Sequence, residues 1–129
     1  MSGNILYEPS SVRGDCGILY MTEGQPCAIP FYFEIPITNL LGETELYKIK
    51  IDDIVVFEIK SDIKLISYVI KKAYTGIAGN VAILRLSSED MQQLFGGKEY
   101  IMSVKLYDSQ KRIQKTLIKK LQIFIQEVV

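Results

Sequence analysis

The stretch that decides the fold runs from residue 79 to residue 108 and reads GNVAILRLSSEDMQQLFGGKEYIMSVKLYD. Towards each of its ends every second residue is apolar, which is typical of strands that bury one face. The residues expected on the buried faces are Ala82, Leu84 and Leu86 in the first half and Tyr100, Met102, Val104 and Leu106 in the second. The stretch therefore predicts two strands with a short connection between them.

The connection carries the signals of one helical turn. Ser87 or Ser88 can cap its start, and the acidic pair Glu89 and Asp90 suits its exposed N–H groups. Its apolar residues at helical spacing are Met91, Leu94 and Phe95. The pair Gly96-Gly97 can then adopt the left-handed backbone that ends such a turn. Because so short a helix is unstable alone, we expect its apolar side chains to plug the open end of a β-sandwich or barrel.

Similar alternation continues on both sides of this stretch. Runs that predict strands are residues 17–21, 28–35, 47–51, 54–60 and the long final run, in which Ile113, Leu117, Leu121, Ile123 and Ile125 share one parity. Residues 63–74 fit a helix or a strand, and the surrounding strands favour a strand. The pattern predicts an all-β fold, an immunoglobulin-like antiparallel β-sandwich of about seven to eight strands with one short helical turn. A closed barrel is the alternative.

The composition indicates one globular domain with balanced charge. The 129 residues, 14.7 kDa, are expected to form an arm at 1–12 and a single domain at 13–129. The 15 basic and 15 acidic residues cancel, so no overall attraction to nucleic acid or to a membrane is expected. The first residues lack the basic flank and apolar core of a signal peptide, which predicts synthesis in a cytoplasm without export.

The two cysteines are expected to remain free thiols. A hairpin over residues 16–33 would place Cys16 opposite Phe33 and Cys27 beside the turn. Their separation would then exceed the reach of a disulfide.

Residue types that commonly carry catalysis are missing. The sequence has no histidine, which excludes Ser-His-Asp triads, histidine acid–base catalysis and histidine metal ligands. Two distant cysteines cannot form a cysteine-rich zinc site. The acidic pairs Asp52-Asp53 and Glu89-Asp90 fall at a turn and at a helix start, where solvated carboxylates are typical. We therefore expect a protein that is not an enzyme and that holds no cofactor or metal.

Two surfaces are candidates for contacts with partners. Pro30 and Pro36 cannot donate ladder hydrogen bonds, so the run at 28–35 is expected at a sheet edge. The residues expected to contact a partner are Ile5, Leu6 and Tyr7 of the arm and Phe31 and Tyr32 of the edge, although core packing explains the aromatic pair equally well.

A second candidate surface combines lysines with tyrosines. Its residues are Lys71, Lys72, Lys115, Lys119 and Lys120 with Tyr68 and Tyr74. Tyrosines among lysines can stack and bind single-stranded nucleic acid or a small ligand. Lysines spread over strands also protect exposed sheets from aggregation, and this interpretation is favoured.

The order of motifs resembles a known family. The motifs are Gly14-Asp15, Phe31-Tyr32-Phe33, IVVFEIK at Ile54–Lys60, GNVAILRL at 79–86, LFGGKEY at 94–100, MSVKLYD at 102–108 and a last strand containing Thr116. In this order they resemble the immunoglobulin-like N-terminal domain of tailed-phage baseplate upper proteins and related tail-fibre proteins. That domain attaches a receptor-binding apparatus to the virion. The resemblance implies a bacteriophage structural protein located in the virion, an adaptor in the tail or baseplate, with other virion proteins as partners and a homo-oligomeric or larger symmetric assembly.

Two departures from the family bear on this expectation. The family tends to place a glycine just before the final strand segment, where this chain has Lys119-Lys120. Members also usually continue into a trimeric fibre or a receptor-binding domain, whereas this sequence ends at Val129. Were these residues the whole protein, a capsid decoration protein would be the alternative. A small ligand-binding or single-stranded nucleic-acid-binding domain is the alternative from a different class.

Overall fold

The computed structural model describes residues 18–61 and 68–128, without the side chains of Ile113 and Gln114. Within these ranges it forms nine strands and one short helix. In chain order they are β1 (Ile18–Thr22), β2 (Cys27–Tyr32), β3 (Pro36–Thr38), β4 (Thr44–Leu46), β5 (Ile54–Lys60), β6 (Ile70–Tyr74), β7 (Val81–Leu86), α1 (Ser88–Met91), β8 (Glu99–Tyr107) and β9 (Ile113–Gln126). The predicted all-β sandwich is confirmed.

The strands are arranged as in an immunoglobulin-like sandwich. A five-stranded sheet has the order β1-β9-β8-β5-β6, and β2 pairs with β7 on the other side of the core. A separate hairpin, β3-β4, lies in the connection between β2 and β5. The partition of β5, β8 and β9 from β2 and β7 matches that of immunoglobulin domains. Among these pairs β1-β9 is parallel and the others are antiparallel.

The predicted hairpin between the first two strands is wrong. β1 pairs with β9 and β2 pairs with β7, so the turn at residues 23–26 crosses from one sheet to the other. The backbone N–H of Glu23 still donates to the carbonyl of Gln126 and extends the β1-β9 pairing. The hairpin argument against a disulfide therefore does not hold. Cys27 is a free, half-buried thiol, and Cys16 lies outside the described residues.

The core lies between the two sheets and follows the predicted alternation of the central strands. The expected inward residues of β7 and β8 are all buried, namely Ala82, Leu84, Leu86, Tyr100, Met102, Val104 and Leu106. Phe57 of β5 meets Phe31 of β2 at a ring-centroid distance of 5.4 Å. Phe31 in turn stacks on Phe33 at 6.2 Å. Aromatic packing across the sandwich therefore joins the two sheets.

The last strand does not keep one parity, contrary to the prediction. In the second half of β9, Leu121, Ile123 and Ile125 are buried. Before them the parity is reversed, because Ile118 is buried and Leu117 is only half-buried. The cause is a set of register shifts against β8, one of them between the pairs Met102-Leu121 and Val104-Ile118. Such a β-bulge inserts an extra residue and turns the following side chains to the opposite face. Lys119 and Lys120 occupy this bulge.

The predicted helical turn is confirmed as α1. Ser87 is its N-cap, and a capping box joins Ser87 to Asp90 through Asp90 N to Ser87 Oγ at 3.1 Å and Ser87 N to Asp90 Oδ2 at 2.9 Å. Met91 and Leu94 are buried, as expected of a plug. Phe95 is 58% exposed, so its expected packing role is wrong. The turn ends before Gly97, whose φ of +79° requires a residue that tolerates a left-handed backbone.

Two other predicted segments have different outcomes. Within residues 63–74 the strand interpretation is confirmed for β6, while residues 62–67 lie outside the described ranges. The predicted strand at 47–51 is wrong, because residues 47–50 pair with no strand. The N–H groups of Ile49 and Lys50 and the carbonyl of Tyr47 are bonded to side chains instead.

Asn80 holds the irregular segment against the sandwich. Its Nδ2 donates to the carbonyls of Phe33, at 3.0 Å, and Tyr47, at 2.9 Å. Its Oδ1 accepts the N–H of Ile49 at 2.9 Å. Its φ is +58°, a left-handed conformation that asparagine adopts more readily than most residues. One side chain thus replaces a strand partner for the segment.

Asp53 closes the same segment from its other end. The carboxylate is buried, with 2% of the residue exposed, and accepts hydrogen bonds from Tyr47 Oη and from Lys50 N. The expectation of a solvated acidic turn is therefore wrong for Asp53 but holds for Asp52, which is exposed. A buried carboxylate with these donors is a structural element of the loop.

Candidate functional site

The β3-β4 hairpin presents two leucines at its tip. Leu40 is fully exposed and Leu41 is 83% exposed. Asn39 orders the tip, because its Oδ1 accepts the N–H groups of Leu41, at 2.9 Å, and Glu43, at 3.0 Å. Gly42 provides the left-handed residue of the turn, with φ +80°. We call Leu40 and Leu41 the leucine tip, two apolar side chains held in water by an ordered turn.

The base of the hairpin is tied to the sandwich. Tyr47 N donates to the carbonyl of Ile35 at 2.8 Å, and Lys115 Nζ donates to the carbonyl of Pro36 at 2.9 Å. Leu46 at the end of β4 and Ile51 beyond it are also more than half exposed. The hairpin region therefore carries exposed apolar area on a base with fixed attachments. Exposed apolar area of this kind commonly marks a contact with another protein.

A smaller apolar surface lies at the β1 edge of the five-stranded sheet. Ile18 and Tyr20 are about half exposed, on the face that points away from the core. Tyr20 packs edge to face against Phe124 of β9, with ring centroids 6.1 Å apart. This ring pair covers part of the outer face and leaves the rest open to solvent.

The predicted contact residues differ in burial, and some of them lie outside the described ranges. Phe31 is completely buried between Phe33 and Phe57, so the expectation that it contacts a partner is wrong and its role is core packing. Tyr32 is half-buried on the opposite side of β2, where its contact role stays a prediction. Ile5, Leu6 and Tyr7 lie outside the described residues. β2 pairs only with β7 among the strands described, which agrees with the predicted edge position.

The predicted surface of lysines and tyrosines is not assembled as one patch. β6, with Lys71 and Lys72, is three strands away from β9, a distance of about 14 Å. Lys72 Nζ pairs with Asp90 at 2.9 Å, and Lys71 Nζ lies 5.2 Å from the centre of the Tyr68 ring. Tyr74 packs its ring against Phe57 and accepts the N–H of Arg85. Its hydroxyl and ring are therefore already engaged.

The structure instead brings Lys119 together with two lysines that the sequence analysis did not single out. A depression of about 210 Å³ opens on the outer face of the five-stranded sheet. Its lining residues are Lys60 of β5, Ile101, Ser103 and Lys105 of β8, and Thr116 and Lys119 of β9. Alternation could have assigned Ser103 and Lys105 to one outward face. The position of Lys119 depends on the bulge in β9, which local alternation does not reveal.

Among the described residues, Asp90 and Asp108 have a lowered pKa, and both carboxylates stabilise turns. At Asp90, burial works to raise the pKa, but hydrogen bonds from Lys72 and Ser87 and the charge of Lys72 together lower it. Asp108 accepts the N–H of Arg112, which lowers its pKa, with further hydrogen bonds from the Arg112 side chain and Gln110 N. Burial raises the pKa of the Cys27 thiol, so less of the reactive thiolate is present at neutral pH.

Neither metal ligands nor a membrane helix is found in the described ranges. Across residues 18–61 and 68–128, no three His, Cys, Asp or Glu side chains come together as a metal site. In the same ranges no helix is long and apolar enough to cross a membrane.

The chain was compared with models of known protein families and with curated proteins, and none of them matches it.

Proposed function

We propose that this protein is a non-enzymatic structural component of a bacteriophage virion, an immunoglobulin-like adaptor in the tail or baseplate that binds other virion proteins. The observation that carries the assembly role is the leucine tip. The phage context rests on the resemblance of the motif order to baseplate upper and tail-fibre proteins. The immunoglobulin-like sandwich is compatible with both.

The leucine tip supports assembly because its exposure has no evident role in folding. Leu40 and Leu41 project from a turn that Asn39 and Gly42 order without them. Burying a leucine side chain against a partner is worth about 1.5–3 kcal/mol. Two leucines on a preformed hairpin therefore offer a compact contact at low ordering cost.

The direct test replaces both leucines in the full chain. Leu40→Ser with Leu41→Ser is expected to leave the unfolding free energy within about 0.5 kcal/mol of the parent, because neither side chain packs in the domain. Assembly, followed by light scattering after size exclusion and by binding to purified phage particles, should be lost. The matched control is Phe95→Ser, which removes an exposed apolar side chain from another loop.

Two results would contradict the proposal. Unchanged assembly in the double variant would remove the leucine tip as the contact. Purified, complete particles of the phage that encodes the chain should contain its peptides by mass spectrometry, and their absence would reject the virion assignment. Antibody labelling of those particles in the electron microscope then distinguishes an adaptor in the tail from a decoration protein on the capsid.

A further inference from the structure

The outer-face depression concentrates positive charge in a chain whose overall charge is zero. Lys60 and Lys119 lie on opposite sides of β8, and Lys105 lies along β8 two residues beyond Ser103. Ser103 is the smallest side chain of the lining. It faces Glu58 in the pairing with β5, and on β9 it faces the bulge. The small serine between longer neighbours leaves the space.

The three lysines are only partly compensated. Lys105 Nζ lies 3.7 Å from the carboxylate of Glu58, whose residue is 9% exposed. Neither Lys60 nor Lys119 forms an ion pair with any residue that the structure describes. Counting these four side chains, three positive charges and one negative charge leave an excess of two. Like charges held around one depression repel each other, and a bound anion would remove that cost.

We propose that this depression binds one dianionic phosphate group, either free or as a phosphate monoester. The charge excess matches a dianion, and lysine is a common ligand of phosphate as a mobile point charge. Ser103 and Thr116 add two hydroxyl groups that can donate to phosphate oxygens. Ile101 provides one apolar wall, against which the carbon part of a monoester can pack.

The same geometry favours a single group over a nucleic-acid strand. A strand needs a basic track with aromatic side chains on which successive bases stack. The tyrosines predicted for that role lie elsewhere, with Tyr68 beside Lys71 and Tyr74 packed on Phe57. Among the residues that the structure describes, no aromatic side chain lines the depression. This inference goes beyond the proposed function and uses a different surface from the leucine tip.

The test is a titration of the full chain with inorganic phosphate at pH 7.5 and constant ionic strength, followed by amide chemical shifts. Exposed ion pairs are individually weak, so three of them predict a Kd on the order of millimolar. Saturable shifts are expected at residues 101–105 and 116–119. Glycerol phosphate in place of inorganic phosphate should bind more tightly if a monoester packs on Ile101, and equally if free phosphate is the ligand.

Variants separate the depression from general charge effects. Lys60→Ala and Lys119→Ala should each weaken phosphate binding about two- to fivefold, and the two together should abolish saturation. Ser103→Met should also abolish it by filling the space, with retained folding checked by thermal unfolding. Lys48→Ala is the control, because it removes the same charge from an exposed position outside the lining.

Three results would overturn the inference. One is the absence of saturable shifts at phosphate concentrations of tens of millimolar. Another is an equal loss of binding in Lys48→Ala, which would mean attraction to the overall surface. The third is tighter binding of a single-stranded oligonucleotide than of glycerol phosphate, which would indicate a nucleic-acid track. None of them affects the assembly test at the leucine tip.

Discussion

Two neighbouring segments between β2 and β5 both use side chains to complete backbone hydrogen bonds, but they differ in burial. In the hairpin turn at residues 39–43, polar groups of Asn39 satisfy the backbone and leave two leucines in water. In the segment at residues 47–53, the side chains of Asn80 and Asp53 bond backbone groups at partly buried positions. In both segments a side-chain oxygen accepts backbone N–H groups. Burial differs, and it separates a segment that holds the fold together from one that is available to a partner.

The largest effect is expected at Asn80. Asn80→Ala removes three hydrogen bonds and places alanine at φ +58°, so we expect a loss of about 4 kcal/mol in unfolding free energy. Asn80→Gly keeps the backbone relaxed and should cost about 1 kcal/mol less. Asn39→Ala removes a similar cap at the surface and should cost less than about 1 kcal/mol. Chemical denaturation measures all three.

Equal losses of unfolding free energy in Asn80→Ala and Asn39→Ala would contradict the distinction drawn between the two segments. Burial would then have no bearing on the value of these side-chain caps.

The next effect is expected at Asp53. Asp53→Ala removes a buried acceptor from the partly buried donors Tyr47 Oη and Lys50 N, which should cost about 2 kcal/mol. Asp52→Ala is the matched control, since it removes the adjacent exposed carboxylate and should change stability by less than about 0.5 kcal/mol. Thermal unfolding compares the two. If Asp52→Ala proved the more harmful of the pair, the assignment of Asp53 as the structural carboxylate would be wrong.

A smaller effect is expected from the charge of Asp90. Its pKa is lowered in the folded state, so its contribution is present above the ordinary aspartate pKa of about 3.9 and is lost as the pH falls through the folded value. Asp90→Asn keeps the capping geometry but removes the charge, and should cost less than about 1 kcal/mol at pH 7. The difference from the parent should vanish at low pH. Urea unfolding across this pH range measures it.

Glu89→Gln is the control for Asp90. Glu89 is exposed in the same helical turn and forms no ion pair with the residues described. A gap between parent and Asp90→Asn that persisted at low pH would show that the substitution acts through packing or capping rather than charge.

Most strands, α1 and its glycine stop were predictable because their signals are local. The capping box needs residues three apart, and the inward faces of β7 and β8 need only alternation. The predicted strand at 47–51 failed because alternating apolar residues also suit a segment whose partners are the side chains of Asn80 and Asp53. Asn80 is distant in sequence from this segment, and Asp53 belongs to an acidic pair that was expected to be solvated. The exposure of Leu40 and Leu41 could not be predicted, since it depends on which other segments pack around the hairpin.

The candidate phosphate site could not be predicted from the sequence, because its lysines come together only through the order of the strands. Lys60, Lys105 and Lys119 come from three strands, and only the order β9-β8-β5 brings them to one depression. The bulge at Lys119-Lys120 then changes the parity of β9.

The sequence by itself determined an all-β chain, the capped helical turn, its glycine stop and the absence of histidine from these 129 residues. Each of these follows from residue type and short spacing, which fix backbone preference and side-chain face. Only the tertiary structure decided that β1 joins β9 in parallel, that Phe31 is buried, that Asp53 lies in the interior and that three lysines converge. Those features depend on contacts between distant segments, whose free energies compete across the whole sandwich and leave no local periodicity.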